Sequence, residues 1–283
     1  TVREDPERKG LLYAGTETGV FVSFNDGSNW QPLQNNLPEV PITDLRIRRN
    51  DLVVATQGRA LWILDDLTPL HQISDKVAKA DYYLYKPGDR YAPLAGAFSL
   101  NGDQGENPLR GAQITYVINK QVEEEVPMSI EILDNSGNIV FSEFTNKEKS
   151  ACDAFIGKQL KRSPGAHVLN WDMRVGMFDC IKELTMTSRG LSAYDAAPGK
   201  YTARLKIGNS TQSQAFEIQI DPRIQSSFPN VSAAYAERDR ISGSVLVGAT
   251  EMAQGVRDLR KVKRQLDFIL EETTSQELRS SGM

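Results

Sequence analysis

Two neighbouring carboxylates, Asp65-Asp66, close an apolar run and are the nearest thing in this sequence to a hydrolytic pair. A retaining glycosidase needs two carboxyl groups about 5 Å apart across a sugar-binding cleft. Adjacent residues of an extended chain point to opposite faces, so this pair cannot supply both groups by itself. It reads as a turn that satisfies backbone amides. Asn101-Gly102-Asp103-Gln104-Gly105-Glu106-Asn107 gathers oxygen donors of the kind calcium takes, without the spacing of an EF-hand loop. Asn101, Asp103 and Glu106 therefore stand as a calcium candidate in what otherwise reads as a solvated loop. Glu123-Glu124-Glu125 reads as a solvated turn or sheet edge. Arg257, Arg260, Lys261, Lys263 and Arg264 form a basic run able to hold a polyanion. Asp258, Asp267, Glu271 and Glu272 interleave or follow, and no aromatic stacking set accompanies them. The bland reading, a solvated helix face, is preferred. With two cysteines and two histidines (His71, His167), a four-ligand zinc site would need carboxylates as well. There is no G-x-S-x-G, no phosphate-binding glycine loop and no H-E-x-x-H. No catalytic residue is assigned.

Bulk properties narrow the class further. A chain of 283 residues has room for two domains, or one with appendages. Its net charge of −4 argues against a general nucleic-acid surface, and no apolar run approaches a membrane span. The chain begins Thr1-Val2-Arg3, with no Met and no charged-then-apolar leader, which reads as a portion of something longer.

The elements that would carry these residues are mainly strands. From 11 to 64, short apolar runs at even spacing alternate with turns such as Asn25-Asp26-Gly27 and Asn50-Asp51, a pattern that suits a propeller or sandwich. From Ala197 to Arg223, Tyr201, Ala203, Leu205 and Ile207 alternate with polar neighbours, Gly208-Asn209 turns, and Phe216, Ile218 and Ile220 alternate again. That is a β-hairpin with one buried face. With the Trp171 strand it forms the closing edge of an immunoglobulin-like sandwich, and Trp171, Tyr201, Leu205, Phe216 and Ile218 should share one core. After Arg223, Val245, Met252, Leu259 and Leu266 recur every seven residues, beside Val256, Val262, Ile269 and Leu270. This predicts an amphipathic helix or helical hairpin capped by Ser232. Gly243, Gly248 and Gly255 each cost roughly 1 kcal/mol inside a helix, so a break is expected near Ser242 to Ser244.

Ser-Phe-Asn-Asp-Gly-Ser-Asn-Trp, residues 23–30, resembles the Asp-box (S-x-D-x-G-x-x-W) of the BNR repeats in sialidase-like and sortilin-like propellers. Ser23, Gly27 and Trp30 match, while Asn25 stands where the family has Asp. Short polar side chains can bond amides within the turn, Gly supplies positive φ, and Trp packs beneath. In that family the box is a structural fastener remote from the catalytic pocket. The stretch Ala55 to Leu70 resembles the strand that ends the propeller in large bacterial BNR-repeat proteins labelled glycosyl hydrolase or sortilin-like. Tyr83 to Pro87, Gly105 to Pro108, Gly111 to Tyr116 and the hairpin of Met128 to Phe144 follow in the family's order. The spans 147–166 and 176–197 depart from it.

The resemblance implies residues 1–70 as a partial β-propeller with an Asp-box blade and 71–100 as a linker or crossing segment. It implies 101–223 as an immunoglobulin-like β-sandwich and 224–283 as a C-terminal helical segment. The function it implies is a non-catalytic extracytoplasmic scaffold or interaction module at the C-terminal end of a sortilin-like propeller protein. Partners would be protein or glycan, with the missing blades coming from the same or another chain, and neither nucleic acid nor a membrane span. An alternative is an accessory C-terminal part of a sialidase-like glycoside hydrolase whose active site lies on upstream blades. A third is polyanion binding by residues 257–264. If the protein is exported, as the resemblance suggests, Cys152 and Cys180 pair as a disulfide. Leu12, Val20, Phe21, Val53, Leu61 and Trp62 would then lie on faces left open by absent blades.

Overall fold

The structure, a computed structural model, describes residues 1–92, 110–144, 160–176 and 194–272. Cys152, Cys180, Asn101, Asp103 and Glu106 lie outside the described residues, and with them the disulfide and the calcium candidate. The chain is mainly β with a long C-terminal helix, and its strands gather around two separate apolar clusters.

The first cluster is enclosed by two antiparallel meanders. One comprises β1 (Val2–Glu4), β2 (Leu12–Gly15), β3 (Val20–Ser23) and β4 (Gln31–Pro32), paired in that order. The other comprises β5 (Ile42–Arg48), β6 (Asp51–Thr56) and β7 (Leu61–Leu64). Period-two alternation turns Tyr13, Val20 and Val22 of the first sheet and Leu45, Leu52 and Val54 of the second into one core. Arg3 ties the sheets at their rim, pairing with Asp44 at 2.6 Å and donating to Leu45 O. Two short helices follow, α1 (Thr68–Gln72) and α2 (Asp75–Lys79).

The second cluster lies between a three-stranded and a five-stranded sheet. In chain order the strands are β8 (Tyr82–Leu84), β9 (Arg90–Tyr91), β10 (Ala112–Ile118), β11 (Met128–Leu133) and β12 (Ile139–Phe144). Then come β13 (Gly165–Trp171), β14 (Arg174–Val175), β15 (Tyr194–Asp195), β16 (Gly199–Ile207) and β17 (Ser210–Gln219). The sheets run β13-β10-β8 and β12-β11-β16-β17-β9, with β9 parallel to β17 and β14 and β15 paired apart. Trp171, Tyr201, Leu205, Phe216 and Ile218 all belong to this core, as alternation requires. The segment between the clusters is more than a connector, because β8 and β9 each extend a sheet. Two glutamines of β17 stitch the sheets together. Gln212 accepts from Leu84 N at 2.9 Å and donates to Tyr82 O at 2.8 Å, and Gln214 donates to Leu84 O.

After α3 (Pro222–Ser227) the chain enters α4 (Val231–Glu272), 42 residues without interruption. Two expectations are corrected here. The helix starts at Val231, so Ser232 lies inside it and does not cap it, and Gly243 does not break it. Docking decides the second point. Ala249 and Ala253 are buried and Tyr235 packs on the second core. Leu246 lies so close to Gly176 that a Cβ there would meet its Cδ2 at 2.1 Å. Only glycine fits that approach, at φ +74°. The docked face is thus an alanine face, whereas the stripe of Val245, Met252, Leu259 and Leu266 faces outward.

Candidate functional sites

The Ser23–Trp30 turn follows β3, whose last residue is fully buried. The Ser23 hydroxyl accepts the amide of Gly27 at 2.9 Å and lies 3.1 Å from Asn25 Oδ1. Asn25 Oδ1 in turn accepts the amide of Asn29 at 2.9 Å, and Asp26 N donates to Gly10 O. Gly27 has φ +83° and the Trp30 indole lies over it. Trp30 remains 39% exposed, so it covers the turn rather than entering the core. The polar atoms of Ser23 and Asn25 bond within the turn itself. The arrangement holds a bend.

Asp65 and Asp66 follow β7 and face different surroundings. Asp66, with φ +59°, accepts from Asn50 Nδ2 at 3.0 Å, from the amide of Thr68 at the start of α1, and from Arg90 Nη2 at 2.5 Å. Its own amide donates to Asp51 Oδ1 at 2.9 Å. The carboxylate therefore knots the β5–β6 turn, the end of β7, α1 and the approach to β9. Asp65 is held above the usual carboxylate range by partial burial, reinforced by Asp51 and opposed by Arg90. A raised carboxyl suits a general acid, but the neighbouring Asp66 carboxylate is taken up by Asn50, the Thr68 amide and Arg90, which is the geometry of a joint.

The structure assembles two further polar clusters that spacing did not reveal. Asp5, almost fully buried, accepts the hydroxyl of Tyr13 at 2.9 Å and lies 2.9 Å from His71 Nε2, with Oδ1 accepting the amides of Glu7 and Arg8. Glu7 sits 3.5 Å from His71 Nδ1. Burial alone would raise the Asp5 pKa, but the Glu7 amide, His71 and Tyr13 together bring it below the ordinary 3.8. Burial, with Asp5 alongside, pushes the Tyr13 phenol far up, so it remains a hydrogen-bond donor. A histidine–carboxylate pair can orient a base for a nucleophile, yet the only hydroxyl here donates to the carboxylate itself. In the second cluster, buried Glu131 on β11 receives Arg204 Nε at 2.7 Å and Lys206 Nζ at 2.9 Å from β16. These bonds outweigh its burial and lower its pKa. No sequence signal marked Asp5 with His71, which are 66 residues apart. For Glu131, the cross-strand register of β11 with β16 was the signal available, since Glu131 sits opposite Arg204.

Among the described residues no group of histidine, cysteine and acidic side chains is disposed to hold a metal. A shallow concavity lies near the end of α4, lined by Arg264, Gln265, Phe268 and Ile269. Glu123-Glu124-Glu125 is exposed, in and beside a turn, as expected. Arg260, Lys261, Lys263 and Arg264 are exposed along α4, and Arg257 bonds Gln254. No described helix is long and apolar enough to cross a membrane. No protein-family model matches the chain, and no curated protein matches it significantly.

Proposed function

We propose that this chain is a non-catalytic interaction module of two lobes. In the first, residues 1–70 are open propeller blades seated against further blades. The second, residues 101–223, which supply most of the second core, is an immunoglobulin-like sandwich. One observation carries the proposal: among the described strands β7 is an edge, paired only with β6, and its outer face exposes Leu61 at 69% and Ile63 at 58%. Half-buried Val53 and Ala55 of β6 flank them on the same face. Leu12, Phe21 and Trp62 are half-buried as well, while Val20, expected to be open, is sealed in the core. An apolar edge of this kind is normally paired or covered. A neighbouring four-stranded sheet would do both, as blades do around a propeller axis. The order of β1 to β4 and the fastened Ser23–Trp30 turn fit the blade reading. Strand order β13-β10-β8 against β12-β11-β16-β17-β9, with Trp171 in the core, fits the sandwich. On this reading the parent is a sortilin-like protein working outside the cytoplasm, with protein or glycan partners.

Incubating the pure chain with a sialoside and with aryl glycosides tests the non-catalytic part. No turnover above the buffer rate is expected. Turnover that disappears in Asp65→Asn or Asp66→Asn would overturn the proposal in favour of a hydrolase.

A further inference from the structure

The outward stripe of α4 follows the seven-residue rule of a helix seam. Met252, Leu259 and Leu266 occupy one seam position, and Gly255, Val262 and Ile269 the other. Beyond Ala253, the last residue of α4 buried against the body, the helix carries Leu259 at 71%, Val262 at 50%, Leu266 at 54% and Ile269 at 56% exposure. Phe268 widens the patch and is more exposed than Ile269. A projecting helix with such a face needs a cover, and the repeat specifies that the cover is itself a helix with the same period.

We propose that the cover is a second copy of this chain, its α4 parallel and in register over residues 252–270. Charge selects this occupant and its direction. In the parallel arrangement Asp258, flanking the seam, meets Lys263 of the other copy, and the pair recurs on both sides of the seam. An antiparallel pairing over the same residues would instead set Lys263 beside Val256 and Asp258 beside Gln265, with no charge pair across the seam. Leucine at the first seam position with Val or Ile at the second favours assemblies larger than a dimer, tetramers above all. The basic residues Arg260, Lys261 and Arg264 lie away from the seam, so like charges are not forced together there. The inference needs no assumption about the role of residues 1–70.

Sedimentation of the full chain at high micromolar concentration tests this. A mass of two or more chains is expected, falling to one chain in Leu259→Glu/Leu266→Glu while the near-ultraviolet circular dichroism of the body stays unchanged. Asp258→Lys should loosen the assembly at least tenfold, and Asp258→Lys/Lys263→Asp should restore it. A monomeric parent, an assembly indifferent to the two glutamates, or a charge swap that fails to restore association would each overturn the proposal.

Discussion

At the scale of single residues, the chain invests its buried polar groups in holding segments together. Trp171 is the largest fully buried side chain, ringed by Phe141, Tyr201 and Phe216 at centroid distances of 5.5 to 6.2 Å. Its indole N–H donates to Arg174 O at 2.9 Å. Trp171→Ala should cost about 3–5 kcal/mol, with the carbonyl of Arg174 left wanting a donor. Denaturant unfolding of the second lobe reads this, and a variant as stable as the parent would contradict it. Asp5 gives a pH prediction of definite sign. Its folded pKa lies below the unfolded value, so its contribution is complete above about pH 4 and is lost as the pH falls through the folded value. The parent's first lobe should therefore lose stability on acidification below that pH. Asp5→Asn should be less stable at pH 7 and should lack that acid-side decline, as thermal melts at a series of pH values would register.

At the scale of elements, the Asp66 knot joins four of them. Asp66→Ala removes the acceptor for Asn50, Thr68 N and Arg90, and places alanine at a left-handed backbone position that suits Asp or Asn better. A loss of about 1–3 kcal/mol follows from the stranded donors. Asp66→Asn keeps the turn and should cost less, so equal effects of the two in urea titrations would refute the assignment. Much of the element order was legible. Ile42–Arg48 is a strand ahead of the Asn50-Asp51 turn, Met128–Leu133 and Ile139–Phe144 are strands where the resemblance implied a hairpin, and the β16–β17 hairpin turns at Gly208-Asn209. The helix was legible as a helix but not in its course. Local rules favoured a cap at Ser232 and a break near Gly243. The fit of Leu246 over Gly176 and the burial of Ala249 and Ala253 are tertiary facts that outweigh about 1 kcal/mol per glycine. The candidate sites were legible only where chemistry is local. The Ser23-to-Trp30 turn bonds within itself, and its residue types announce that. The Asp5–Tyr13–His71 and Asp66–Arg90 clusters join distant segments, and no spacing rule reaches across the fold.

At the scale of the whole molecule, two buried cores contrast with apolar surfaces left exposed among the described residues, above all the β7 edge and the outward stripe of α4. An apolar edge and an apolar helix face suit a part that is completed by neighbours, and the Asp5, Asp66 and Glu131 carboxylates each join separate segments of the chain. The central claim is that the β7 face seats a further blade. Hydrogen exchange over residues 51–64 is its most direct test, measured with and without a sortilin-like propeller fragment lacking its final blades. The account predicts that these amides slow on mixing, and that Leu61→Asp/Ile63→Asp stays folded but gains no protection. Unchanged exchange in the parent chain, or equal protection of the double variant, would contradict it.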